Sequence, residues 1–207
     1  MERASWELAR NALSIESAAL KTLGAALEEE SCGRAVDALK NAPRIAASGC
    51  GHSGIACMHL AHLLCCIERP ARYISPAEAI HGGMGFVQSG DVLVLASRGG
   101  RTAELLPMLG IGKEKGAVLI GVTENGDSPL GRETDIWLRI RVDRETDPDN
   151  TQGTTSFCVM NSLFDALQTA LINETGYRSE QFARIHPGGA VGERLTGRVG
   201  GTAPTGF

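Results

Sequence analysis

At 207 residues, 43% apolar but only 4% aromatic, the chain has the length of one α/β domain, whose core must be built from Ala, Val, Ile and Leu. A formal net charge of −4 excludes the broad basic face of a general nucleic-acid binder, although clustered amide donors can still hold a small anion. No apolar run is long enough to span a bilayer, and the opening MERASWELAR has no signal-peptide core, so a cytoplasmic protein is expected.

The elements follow in chain order. Leu8, Ala12, Ile15, Ala19, Leu23 and Leu27 recur at three- and four-residue spacing, which predicts an amphipathic helix over the first ~30 residues. A short helix follows over Gly33 to Leu39. From Pro43 the texture alternates. Arg44 to Ser48 is a strand, GCGHSG a loop, and Ile55 to Ile67 an apolar helix. Strands are predicted at Arg72 to Ser75, Asp91 to Ala96, Ala117 to Val122 and Ile136 to Val142, the last more amphipathic and at an edge. Helices are predicted at Thr102 to Lys115 and Gly153 to Thr175, and a short one from Gly189. This alternation implies right-handed βαβ crossovers and a doubly wound, five-stranded parallel sheet flanked by helices, a three-layer α/β sandwich. Ligands of such sheets bind outside the carboxyl ends of the strands.

The six cysteines (Cys32, Cys50, Cys57, Cys65, Cys66 and Cys158) form no CxxC pair and have no zinc spacing. Most fall in predicted helices, where a free cysteine acts as a small hydrophobe, in keeping with a reducing compartment. His59 and His62 lie inside an apolar helix and are read as structural.

Two loops carry the chemistry. Ser48-Gly49-Cys50-Gly51-His52-Ser53-Gly54 runs from a strand into a helix. Its glycines admit a ligand close to the backbone, and the helix start offers N–H donors. Alone it could be a tight turn. Ser97-Arg98-Gly99-Gly100-Arg101-Thr102 repeats the design at a later strand, with two hydroxyls and two arginines that a plain turn has little use for. Together they predict a phosphate site. Glu104, just inside the following helix, projects toward the same mouth. His81 and His186 sit in glycine- and proline-rich breaks, where histidines are poor core fillers.

SGCGHSG, PAEAIHGGMGFV, SRGGRTAE, NTQGTTS and FARIHPGGAVGERL, in this order and spacing, resemble the sugar isomerase (SIS) domain, more narrowly its arabinose 5-phosphate isomerase branch. The resemblance covers Arg44 to Leu195. It implies helices over 1–42 that pack on the domain or a subunit interface, the SIS domain over 43–195, and a loose tail over 196–207, with none of the CBS modules common in that branch. It also implies reversible aldose–ketose isomerisation of a sugar phosphate through an enediolate, with no cofactor and no obligatory metal. By position, Gly51, Ser53, Ser97, Thr102, Thr154 and the amides of Arg98, Gly99 and Gly100 match the phosphate cradle, with Arg101 beside it. Glu104 matches the group that moves the carbon-bound proton, His186 the hydroxyl proton shuttle, and His81 the residue assisting ring opening. The partners implied are the sugar phosphate and further copies of the chain, as a homodimer or homotetramer with sites at subunit interfaces.

Two departures stand out. His52, counted among the catalytic candidates, replaces the branch's lysine, so a group with a reference pKa of about 6.5 stands where a fixed charge is usual. Gly99 replaces a serine of the second loop. One lost hydroxyl donor to an anion costs about 1.5–3 kcal/mol, which Arg98 or Arg101 could offset. These changes keep two alternatives open: a sugar-phosphate binding or regulatory module without turnover, and an isomerase of hexulose or heptose phosphates.

Overall fold

The computed structural model describes residues 1–196, so the predicted tail lies outside the described residues from 197 onward. In chain order the elements are α1 (Arg3–Ala26), α2 (Glu29–Asn41), β1 (Ile45–Gly49), α3 (Gly51–Cys65), β2 (Ala71–Tyr73), α4 (Pro76–Ala79), β3 (Val92–Ala96), α5 (Leu106–Glu114), β4 (Val118–Thr123), α6 (Pro129–Glu133), β5 (Ile136–Arg139), α7 (Thr154–Thr175), α8 (Ser179–Ile185) and α9 (Gly189–Thr196). Turns of 3₁₀ helix occupy Gly83–Phe86 and Ala103–Leu105.

All five predicted strands form one parallel sheet of order β2-β1-β3-β4-β5, with β5 at an edge as its weaker apolar pattern implied. Alternate residues of each strand enter opposite cores. Val92, Val94 and Ala96 of β3 face α2, α3 and α7, while Leu93 and Leu95 face the layer built by α5 and α6. Both faces are covered, which is why these strands read as continuous apolar runs. α1 packs along α7, but its residues before Ala12 are all exposed, Trp6 and Leu8 each by about half.

The strand order positions the site. The chain moves outward from β1 to β2, then returns past β1 to start β3 and moves outward the other way. The reversal falls between β1 and β3, where an open α/β sheet has its ligand crevice. The register pairs Gly49 with Ala96 and Ala96 with Val122, so the strands end flush, ~4.8 Å apart, and the two glycine-rich loops leave side by side.

Two predicted boundaries differ from the structure for clear reasons. α3 starts at Gly51 rather than Ile55, because Gly51 adopts φ +53° and turns the chain directly into the helix. The predicted helix 102–115 is split. Pro107 lacks an N–H and sits in the first turn of α5, so Ala103–Leu105 wind as a separate 3₁₀ turn.

Candidate active site

The first loop is held by close backbone contact. A side chain at Gly49 would meet the Ser53 carbonyl carbon at 2.8 Å, and one at Gly54 would meet the Gly49 oxygen at 2.6 Å. Gly51, His52 and Ser53 thereby form the first turn of a 15-residue helix, whose dipole favours an anion at that end. Ser53 is half-buried, Gly51 and His52 exposed.

The second loop is a compact turn. Ser97 Oγ shares a hydrogen bond with Thr102 Oγ1 at 2.8 Å and accepts from the Gly100 N–H at 3.1 Å. Gly100 has φ +67°, and a Cβ there would fall onto Ser128 Oγ and within 2.7 Å of Thr123 Oγ1. Gly100→Ala therefore combines left-handed strain with overpacking and should cost about 2–5 kcal/mol, read as a lower urea midpoint at unchanged m-value.

The arginines divide in a way the sequence does not reveal. Arg98 turns away from the loop mouth. Its Nε donates to Glu124 Oε2 (3.1 Å), Nη1 to Glu145 Oε1 (2.7 Å) and Nη2 to the Val142 carbonyl (3.0 Å). The expectation that its guanidinium helps hold phosphate is thus corrected: it ties the loop to residues 142–145. The Gly100 N–H is likewise spent inside the turn, on Ser97 Oγ and the Ser97 carbonyl. Gly99 and Arg101 stay exposed, with one Arg101 N–H on the Asp127 carbonyl at 3.1 Å.

Glu145 is the residue the sequence hides. Only 2% of its side chain is exposed, and besides Arg98 it accepts from the Ser156 N–H (3.1 Å) and Thr154 Oγ1 (3.4 Å) in the first turn of α7. An internal carboxylate thus occupies the positive end of that helix. Thr154, expected in the phosphate cradle, instead shares its hydroxyl with Thr146 at 2.8 Å. In the run DRETDPDN nothing marks Glu145 as buried, since its cation is 47 residues away.

Glu104 sits exposed on the 3₁₀ turn after the second loop and reaches the first loop electrostatically. Burial, then the Glu104 carboxylate, pushes the Cys50 thiol above its ordinary pKa. α4 packs on that same turn, which brings the exposed His81, two residues beyond α4, to the same side of the sheet. His52 faces a groove of about 510 Å³ with Glu16, Gly153, Phe157 and Asn161. Its ring lies 5.8 Å from Phe157, and a side chain at Gly153 would meet its Nδ1 at 2.9 Å.

His186 is elsewhere. It caps α8, stacks on Phe182 at 4.9 Å and is exposed. α8 docks at the far end of α3, where Phe182 lines a groove with His62 and Cys66 and Gln181 bonds Glu68. With α3 rising 1.5 Å per residue, His186 lies roughly 20 Å from the first loop of its own chain. One chain therefore unites Ser53, Ser97, Thr102 and Glu104, with His81 alongside, but not His186. The cysteines are all unpaired; Cys57 is fully buried, its thiol pushed up to about 12, while Cys65 is exposed.

A family model described as the SIS domain matches residues 38–170. The chain belongs to the SIS domain family. Among its relatives is an arabinose 5-phosphate isomerase, KpsF, of Escherichia coli, 35% identical over 92% of this chain. The chain spans 58% of that relative's length. A Listeria monocytogenes structure assigned as a sugar-phosphate isomerase is 38% identical with a TM-score of 0.88, covering 91% of this chain and all of the other. An E. coli CFT073 protein solved in complex with arabinose 5-phosphate is 26% identical with a TM-score of 0.84, over 90% of this SIS chain and all of the other. Among the described residues no helix is long and apolar enough to cross a membrane, and no His, Cys, Asp and Glu cluster could hold a metal.

Proposed function

We propose that this SIS domain interconverts an aldose phosphate and its ketose, with arabinose 5-phosphate and ribulose 5-phosphate the best-supported pair. One observation carries the reading. At the β1/β3 reversal, two anion-ready loops stand side by side, and the exposed Glu104 carboxylate follows the second of them on a 3₁₀ turn. The phosphate lies across the first turn of α3 and the second loop, held by Ser53, Ser97, Thr102, the exposed N–H groups of Gly51 and Gly99, and Arg101. That places the sugar's carbonyl end toward Glu104 and His81. Glu104 takes the proton from the carbon next to the carbonyl and returns it to the former carbonyl carbon, while His186 carries the hydroxyl proton from the one carbon's oxygen to the other's. His81 assists ring opening. The relatives' names support the pentose; offering the protein pentose, hexulose and heptose phosphates in parallel tests it. Turnover of the pentose pair above the others is expected, and turnover of another class alone would reassign the substrate.

His186 enters from a second copy of the chain. Its distance from its own first loop motivates this, as do the exposed residues of α1 and the exposed Ile55 and Met58 on α3. Mixing inactive Glu104→Gln and His186→Asn variants should restore about a quarter of wild-type activity, since half of randomly mixed dimers hold one intact site of two. No recovery under verified subunit exchange would place both residues in one chain's site.

A further inference from the structure

Backbone pairing between β1 and β2 stops at Ala47 and Tyr73, yet the two chains stay joined beyond it. The Ile74 N–H donates to the Ala47 carbonyl at 2.9 Å, and Ser48 Oγ donates to the Ile74 carbonyl at 2.7 Å. One step further out, Tyr73 Oη donates to the Gly49 carbonyl at 3.0 Å. The same oxygen lies 3.0 Å from where a Gly54 side chain would begin, so the phenol closes over the point where β1 turns into α3. Burial, with lesser contributions from the Cys57 and Cys50 thiols, pushes the Tyr73 hydroxyl above its ordinary pKa, so it stays protonated and able to donate.

We infer that Tyr73 is a positioning residue for the first loop: its hydroxyl fixes the Gly49 carbonyl, and through it the first turn of α3 relative to the segment that leads to His81. The inference rests on the site reading above and deepens it. Without the hydroxyl, the Gly49 carbonyl can tilt, and Gly51 and Ser53 lose a fixed bearing on the anion. The aromatic ring, packed against the main core, remains in Tyr73→Phe, so the fold is retained.

The experiment compares wild type and Tyr73→Phe in three readouts: steady-state kinetics with arabinose 5-phosphate, thermal midpoint, and backbone amide hydrogen exchange. The expected result is a KM raised about three- to tenfold, with kcat within twofold and the thermal midpoint lowered by only about 2–4 °C, the worth of one lost hydrogen bond. Amide exchange should rise at Gly51 to Gly54 and at residues 75–82 together. An unchanged KM in a turning-over protein overturns the inference and leaves the proposed function standing. If wild type turns over no sugar phosphate, the proposed function fails. The exchange data then decide alone: joint acceleration in both segments upholds the role of Tyr73, and unchanged exchange in both overturns it.

Discussion

Glu104→Gln should lower kcat by about 10²–10⁴ while leaving KM within a few-fold, because the variant removes a proton acceptor and none of the phosphate donors. The side chain is exposed on a 3₁₀ turn, so stability should hardly move. Steady-state kinetics at saturating sugar phosphate, beside a thermal melt, separate the two effects. A variant with full turnover would remove Glu104 from the chemistry. One with an intact kcat and a much raised KM would make it a binding group.

The second large effect is on stability and lies behind the loop. Arg98→Ala strips Glu145 of the cation paired with it, leaving a carboxylate that is 2% exposed with the Ser156 N–H and a long contact to Thr154. Breaking such a buried pair costs about 3–5 kcal/mol; Arg98 is itself one-third exposed, so the lower end is expected. For a chain of this size that is a drop in Tm of roughly 6–12 °C. Adding Glu145→Gln should return part of the loss, because the neutral amide keeps the hydrogen bonds without the uncompensated charge. If the double variant is as unstable as the sum of the two singles, the pair is not coupled as the geometry indicates.

The sequence carried the scaffold well, because parallel strands covered on both faces must be continuous apolar runs. DVLVLA and AVLIGV admit little else. The two loops were legible for a related reason, since glycine beside hydroxyl residues at a strand end has few structural uses. What stayed hidden depends on distant contacts. SRGGRT offers two arginines, and nothing local tells that one is drawn off by Glu145 while the other stays at the mouth. HPGG marks His186 as a loop histidine, but only the docking of α8 on the far end of α3 sets it apart from the first loop of its own chain. Tyr73 ends a three-residue edge strand, and its reach to Gly49 follows from the sheet order alone.

The central claim is tested most directly by anomeric-proton NMR of the purified protein with D-arabinose 5-phosphate and, separately, D-ribulose 5-phosphate. The account predicts that both reactions converge on one mixture and that neither does so with Glu104→Gln. Ligand-induced shifts in the protein spectrum with no interconversion from either side would contradict it, and would make His52 and Gly99 the marks of a domain that binds a sugar phosphate without turning it over.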